Sequence, residues 1–192
     1  MKEKILDAAE EMVQDRGLSS VSFQDLANAV GLRKASIFHH FPNKEAVAIG
    51  LIERCATKHG PEYEEVVESD LSAPDKLKKL AKIFEKGLKQ KRPCLIAALG
   101  GGLNSLTEGS SEELKKTAKA AVARFALVFE QGTREGSLEF EGMPENAAMA
   151  FFAMLQGLQV LARASKNLSS FLPAALTYID SITRVPKSRN RK

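Results

Sequence analysis

Between Val21 and Glu45 the residues leave little room for anything but two short helices around a tight turn. Ser22 can cap the first helix, and Asp25 three residues on closes a capping box and favours the positive helix end. Leu26, Ala27 and Val30 follow as one apolar stripe. Gly31 supplies the permissive backbone that a tight interhelical turn needs. Residues 33–40 form the second helix, which stops at Phe41 because Pro42 disfavours helical geometry in the residue before it. Asn43 then caps another helix. No Asp or Glu occurs from Leu26 to Lys44, so nothing in that run repels a phosphate backbone. The pattern is a helix-turn-helix with polar and basic side chains where a DNA major groove receives them.

The N-terminal residues of such a second helix lie nearest the base edges. Arg33 can bond a guanine edge bidentately, and Lys34 can serve guanine or phosphate. Ala35 is small enough to meet a thymine methyl, Ser36 and His40 share a face, and His39 lies beside them. Lys44, in the first turn of the next helix, is placed to grip phosphate with the free N–H groups there. Ser22 and Gln24, at the start of the first helix, complete the candidate DNA-binding set. Phe23, Leu26, Val30, Ile37, Phe38 and Phe41 read as the core of the head. A histidine pair is also often idle on a solvated surface. Metal binding by His39 and His40 is disfavoured because adjacent helical residues point about 100° apart. Cys55 and His59 share a helix face but have no second ligand cluster, so neither metal nor cofactor is expected.

A chain of 192 residues can hold one large or two small domains. Its 44% hydrophobic and 27% charged content is ordinary for a soluble protein. Two cysteines give no disulfide framework and suit a reducing compartment. No apolar run approaches the roughly 20 residues of a membrane span, and no signal-peptide core opens the sequence. Cytoplasmic residence without a membrane partner is the expectation. The net charge of +4 misleads as a DNA signal, because Lys187, Arg189, Arg191 and Lys192 carry all of the excess. That tail reads as a solvated, disordered end rather than an auxiliary DNA contact.

Glycine and proline punctuation divides the remainder into helices, about nine in all. The first covers residues 2–16, with Ile5, Leu6, Ala9, Met12 and Val13 as its buried stripe and Gly17 as its stop. The fourth starts at Asn43 and should kink or end at Gly60-Pro61, leaving residues 62–68 as a separate piece. The fifth covers residues 75–91, with lysines opposite its apolar stripe as a solvated face. The sixth spans residues 93–106 and contains Gly100-Gly-Gly102, which should either flex or permit tight packing. Ser110-Ser-Glu-Glu113 reads as the capping box of the seventh, which ends near Gly136. Pro144 opens the eighth, to about Ser165, and the ninth covers residues 168–184.

The eighth helix is apolar on more than one side, so it must be buried on two. Phe151, Phe152, Leu155, Leu158, Gln159 and Ala162, continued by Leu172, Leu176 and Ile179, are the candidate dimer surface. Ala148 and Gly157 would allow close helix approach. One reading helix covers one half-site, so a two-fold dimer is expected to read a pseudo-palindrome.

Gly31-Leu-Arg-Lys-Ala-Ser-Ile-Phe-His-His-Phe-Pro-Asn-Lys-Glu45 is similar to the recognition-helix signature of TetR/AcrR-type bacterial repressors. Ile5-Leu-Asp-Ala-Ala9 and Gly17 fit the same family's first helix, and Leu155-Gln-Gly-Leu158 is a weaker likeness further on. The resemblance implies an all-α fold with three parts. Residues 1–45 are the DNA-binding head, 46–186 an effector-binding and dimerisation domain, and 187–192 a basic tail. It implies the same DNA-contact assignments, a four-helix dimer interface, and a ligand cavity enclosed by the fourth to seventh helices. Phe38 departs from the family, which usually has tyrosine there, so packing and a weaker backbone grip are expected of it.

Candidate cavity walls are Phe84, Leu88, Leu95, Leu99, Leu103, Phe125 and Phe129, which suit a small, mostly apolar effector but equally suit plain core. Cys94 follows Lys91-Arg92-Pro93, and nearby cations favour a thiolate, so it is either an effector-site sensor of electrophiles or an inert thiol. The functional expectation is a dimeric repressor released from its operator by that effector. A thiol-based redox repressor and a ligand-independent architectural DNA-binding protein are the alternatives. No phosphate loop, nucleophile motif or full metal-ligand set points to an enzyme.

Overall fold

The computed structural model describes residues 1–184, so the basic tail at 187–192 lies outside the described residues. Nine α-helices are found among them. They are α1 (Lys2–Arg16), α2 (Phe23–Val30), α3 (Lys34–His40), α4 (Lys44–Glu68), α5 (Ala73–Lys89), α6 (Leu95–Gly100), α7 (Glu108–Glu135), α8 (Pro144–Ala164) and α9 (Phe171–Ser181). Short 3-10 turns cover Leu18–Ser20, Leu103–Ser105 and Leu168–Ser170. An isolated antiparallel bridge pairs Leu138 with Thr183. The all-α reading of the sequence holds.

Two compact units emerge, the first from residues 1–61 and 87–120, the second from residues 62–86 and 121 onward. The first differs from a head that ends at residue 45. Its core joins Ile5, Leu6, Ala9 and Val13 of α1 to Leu26 and Ala27, to Ile37 and Phe41, and to Val47, Leu51 and Ile52 of α4. Leu95, Leu99 and Leu114 complete it. Three short helices bury too little apolar area to stand alone, and each fully buried Leu or Ile adds about 1.5–3 kcal/mol. The helices after the head therefore supply part of its core. Polar bonds hold the same seam, with Gln14 Nε2 donating to the Pro93 carbonyl at 2.6 Å and Arg54 Nε 3.3 Å from the buried Glu10 carboxylate.

Three predicted helix boundaries move. α4 runs unbroken through Pro61. That proline is exposed, so water can take the Thr57 carbonyl that loses its helical donor. The cap of α7 lies three residues before the predicted one. Thr107 N–H donates to Ser110 Oγ at 3.0 Å, and Ser110 N–H donates to Thr107 Oγ1 at 3.3 Å. α6 stops at Gly100, and the glycines that follow keep negative φ (Gly101 −68°, Gly102 −126°), so the run ends the helix rather than bending it.

In the second unit four rings from four helices close a cycle. Tyr63 meets Phe84 and Phe125 at centroid distances of 6.2 and 5.2 Å, and Phe152 meets the same two at 5.9 and 5.6 Å. Three of these pairs are edge to face and Tyr63–Phe84 is near-parallel, and such contacts add to the burial term. The buried Lys76 ammonium donates to the Val67 carbonyl at 2.6 Å and to Gln131 Oε1 at 2.7 Å, holding the last turn of α4. Near the end of α7, Gly132 is buried beneath Leu138, and a Cβ there would lie 2.4 Å from Leu138 Cγ. Gly132→Ala gains about 1 kcal/mol of helix propensity but incurs about 1–3 kcal/mol of overpacking. The variant is expected to unfold at lower urea concentration than the parent with an unchanged m-value, and an equal or higher midpoint would contradict this packing.

Candidate nucleic-acid interface

The head is built as its local chemistry dictates. Ser22 N–H donates to Asp25 Oδ2 at 2.8 Å, and Asp25 N–H donates to Ser22 Oγ at 3.1 Å, the reciprocal capping box of α2. The Ser22 backbone bond, then its hydroxyl, hold the Asp25 carboxyl below the ordinary carboxylate range. Arg16 lies 3.4 Å from that carboxylate and offsets its charge. Gly31 adopts φ 68° and ψ 33°, the left-handed turn that glycine takes without a steric penalty. Arg33 sits at the N-cap of α3 with extended backbone, and Phe41 ends the helix in the same region.

Burial divides α3 sharply. Ile37 and Phe41 are buried, while Arg33, Lys34, Ala35, Phe38 and His39 are exposed and Ser36 and His40 are half-buried. Ala35, Ser36, His39 and His40 line a hollow of about 420 Å³ together with Met1 and Leu32. The structure thus brings four of the nine candidate residues together at one hollow, with Arg33 and Lys34 exposed at the start of the same helix. Met1 joins the hollow with no polar or motif signal in the sequence to mark it, and Leu32 joins it as the hydrophobe that follows Gly31.

The other three candidates have different surroundings. Both Ser22 donors are used inside the capping box, because its hydroxyl also donates to Asp25 Oδ2 at 2.7 Å. Gln24 is exposed, and its Nε2 donates to Asn28 Oδ1 at 2.8 Å. The Lys44 ammonium, expected at a phosphate, donates to the Leu18 and Ser19 carbonyls at 3.4 and 3.1 Å. It buckles the α1–α2 connection onto the start of α4. Glu45, the next residue, accepts a bond from Thr107 Oγ1 at the cap of α7. Phe38 was read as packing, yet it is 45% exposed. α3 turns Ile37 and Phe41 inward, and a position one residue past Ile37 cannot share their face.

The candidate effector residues separate. Leu95 and Leu99 are core of the first unit, where Leu88 is also buried. Phe84 and Phe125 belong to the aromatic cycle of the second, and Phe129 packs on Phe140 and Phe151 at 5.3 and 6.0 Å. Leu103 is 59% exposed on its 3-10 turn, because α6 ends before reaching it. Cys94 is half-buried at the N-cap of α6.

The candidate dimer residues separate by depth. Phe151, Phe152, Leu155, Gln159, Ala162 and Ile179 are buried within the second unit, where Gln159 Nε2 donates to the Phe84 carbonyl at 2.9 Å. Leu158, Leu172 and Leu176 are half-buried. The apolar side of α8 left outward carries Met149, Val160 and Leu161, exposed at 58%, 60% and 65%. Ala153, Gly157 and Ala164 lie between them, also exposed. Periodicity revealed two stripes on α8 but not which one turns inward. By length and composition alone α8 is apolar enough to cross a membrane.

The placement of Lys44 can be tested without DNA. Lys44→Met is expected to speed amide exchange at Val21, whose N–H donates to the Leu18 carbonyl at 3.2 Å. A lysine that serves only phosphate would leave that exchange unchanged.

Residues 5–51 match the family model described as "Bacterial regulatory proteins, tetR family". The chain is 22% identical over 191 residues to the HTH-type transcriptional repressor NemR of Escherichia coli strain K12, covering 96% of this chain and 94% of that protein. The crystal structure of the reduced form of NemR superposes with a TM-score of 0.80 at 24% identity, over 96% of this chain and 98% of that one. A TetR-family regulator from Agrobacterium tumefaciens gives a TM-score of 0.90 at 24% identity, over 95% and 97% of the two chains. A regulator from Saccharomonospora viridis in complex with choline gives 0.80 at 17% identity, over 96% and 98%. At these identities the structural likenesses speak for the fold, while the family match falls on the helices that carry the reading surface. Residues 5–51, from α1 to the start of α4, thus match the TetR family of bacterial regulatory proteins.

Proposed function

We propose that the protein is a homodimeric transcriptional repressor that occupies a pseudo-palindromic operator and is released by a small, mostly apolar effector. The observation that carries this reading is the outward face of α3. It presents Arg33, Lys34, Ala35, Ser36, His39 and His40 on a surface whose sequence holds no carboxylate from residue 26 to 44. Arg33 and Lys34 stand at the end of the helix nearest base edges, and the polar side chains behind them match the major-groove pattern of donors and acceptors. Cytoplasmic residence follows from the DNA it reads.

Each chain has one such helix, so full-site recognition needs two, about one helical turn of DNA apart (~34 Å). The outward side of α8 supports a two-fold pairing, with Met149, Val160 and Leu161 as apolar contacts and Gly157 permitting close approach. Pairing there, rather than contact with a bilayer, accounts for the apolar composition of α8. Release requires only that the effector bind the non-operator conformation more tightly. Phe84, Phe125 and Phe129, which the second unit holds together, remain the proposed effector contacts, while Leu88, Leu95, Leu99 and Leu103 belong to the first unit and are not carried over. The choline complex of a structural relative supports a small organic molecule as the kind of ligand to screen.

A second reading makes Cys94 the sensor. Burial pushes the Cys55 thiol up to about 12, which keeps it protonated near neutral pH and leaves the half-buried Cys94 as the cysteine to test. The NemR structure that superposes on this chain is of that protein's reduced form, which supports testing a thiol of this chain under oxidising and reducing conditions.

The first test is a footprint of the purified protein on DNA upstream of its own gene. A protected near-palindrome is expected, and Arg33→Ala should weaken it roughly 5- to 150-fold with folding unchanged. A folded protein that protects no genomic fragment would overturn the reading. Val160→Glu is expected to shift sedimentation from dimer to monomer, and an unchanged dimer would place the interface elsewhere. N-ethylmaleimide should abolish protection by the parent and not by Cys94→Ser under the second reading; equal loss in both would remove Cys94 from sensing.

A further inference from the structure

Phe38 is the phenylalanine that the fold leaves out. Among the described residues every other phenylalanine is buried or half-buried, whereas Phe38 is 45% exposed. Burying an apolar side chain of this size is stabilising, so an outward ring forgoes an interaction that a partner can supply. The ring is not loose. Phe23, itself buried in the first turn of α2, meets it edge to face with centroids 4.6 Å apart at 65°. The Lys34 ammonium lies 5.9 Å from its centroid, one helical turn earlier on α3. Two neighbours thus fix the ring before any partner arrives, which lowers the ordering cost of binding.

The chemistry of the ring limits what it can touch on DNA. It has no hydroxyl or N–H, so it cannot hydrogen-bond a phosphate or a base edge. The apolar group that the major groove displays is the C5-methyl of thymine, and phenylalanine is among the side chains that contact it. Lys34 is the first residue of α3, at the end of the helix that lies nearest the bases, and Phe38 follows on the same side at i+4. We propose that Phe38 reads a thymine in each half-site through its C5-methyl group, with Lys34 held over the ring as its polar companion. The assignment rests on the DNA-reading function argued above and makes Phe38 a specificity-determining residue rather than core.

The test begins with duplexes enriched by the intact protein from a random pool. Each thymine of the enriched site is replaced in turn by deoxyuridine, which removes only the methyl group. Affinities are then measured for the parent, Phe38→Ala and Phe38→Tyr. At one thymine per half-site the parent is expected to lose about fourfold, the worth of one buried methyl group. Phe38→Ala should bind the thymine duplex more weakly and lose nothing further on the replacement. Phe38→Tyr, which keeps the ring, should retain the sensitivity. Phe38→Gln serves in place of Phe38→Ala should thermal melting show that the alanine variant does not fold. Equal sensitivity of parent and Phe38→Ala at every thymine would overturn the assignment and leave Ala35 as the methyl reader. Weaker binding by Phe38→Ala with no thymine sensitivity in the parent would overturn it in favour of deoxyribose contact. A pool that enriches no sequence would bring down the DNA-reading function itself, and this assignment with it.

Discussion

A helix of seven residues has no independent stability in water, and α3 is seven residues long. Everything that the head presents to DNA therefore depends on Ile37 and Phe41, the two side chains that anchor α3 from within. Their burial fixes the rotation of the helix about its axis, and that rotation decides which residues face outward. Lys34, Ala35, Phe38 and His39 are exposed because those two are not. Gly31 before the helix and Pro42 after it set its ends, so neither fraying nor extension blurs the register.

The anchoring core is wider than the head itself. Leu95 and Leu99 of α6 and Leu114 of α7 share a cluster with the head residues, and polar contacts run beside that cluster. Gln14 ties α1 to the residue before Cys94, Arg54 of α4 meets the buried Glu10, and Thr107 donates to Glu45. Breaking a buried ion pair such as that of Glu10 leaves an uncompensated charge, a larger loss than the pair's net worth. Lys44 and Glu45 illustrate the economy of the arrangement. Adjacent residues at the start of α4 reach in different directions, one to the α1–α2 connection and the other to the cap of α7.

Much of the fold was legible because local chemistry agreed with the global result. The α2 capping box, the left-handed Gly31, the stop at Phe41-Pro42 and the proline start of α8 all lie where the residues placed them. Errors gathered where two local signals competed. At Thr107-Glu-Gly-Ser110 and Ser110-Ser-Glu-Glu113 two capping patterns overlap, and the earlier one prevailed with Ser110 buried within it. At Pro61 the proline penalty was overruled by a long helix packed on both sides of it. At Lys44 the residue type could not choose between partners: an ammonium at the end of a four-carbon side chain serves a carbonyl as well as a phosphate, and here it reaches the Leu18 and Ser19 carbonyls.

By itself the sequence determined the helical class, the turn at Gly31, the acid-free run across the reading helix and the two apolar sides of α8. These are short-range properties of caps, turn residues and a 3.6-residue period. Tertiary structure alone decided which of those sides turned inward. It buried Phe151, Phe152 and Leu155 and left Met149, Val160 and Leu161 outside. It also placed Lys44 on two carbonyls, drew α6 into the core of the head, and turned Phe38 outward. Periodicity specifies the angle between residues on one helix but not the orientation of that helix against its neighbours. That orientation is settled by which bulky side chains, from distant parts of the chain, pack together at close-packed density.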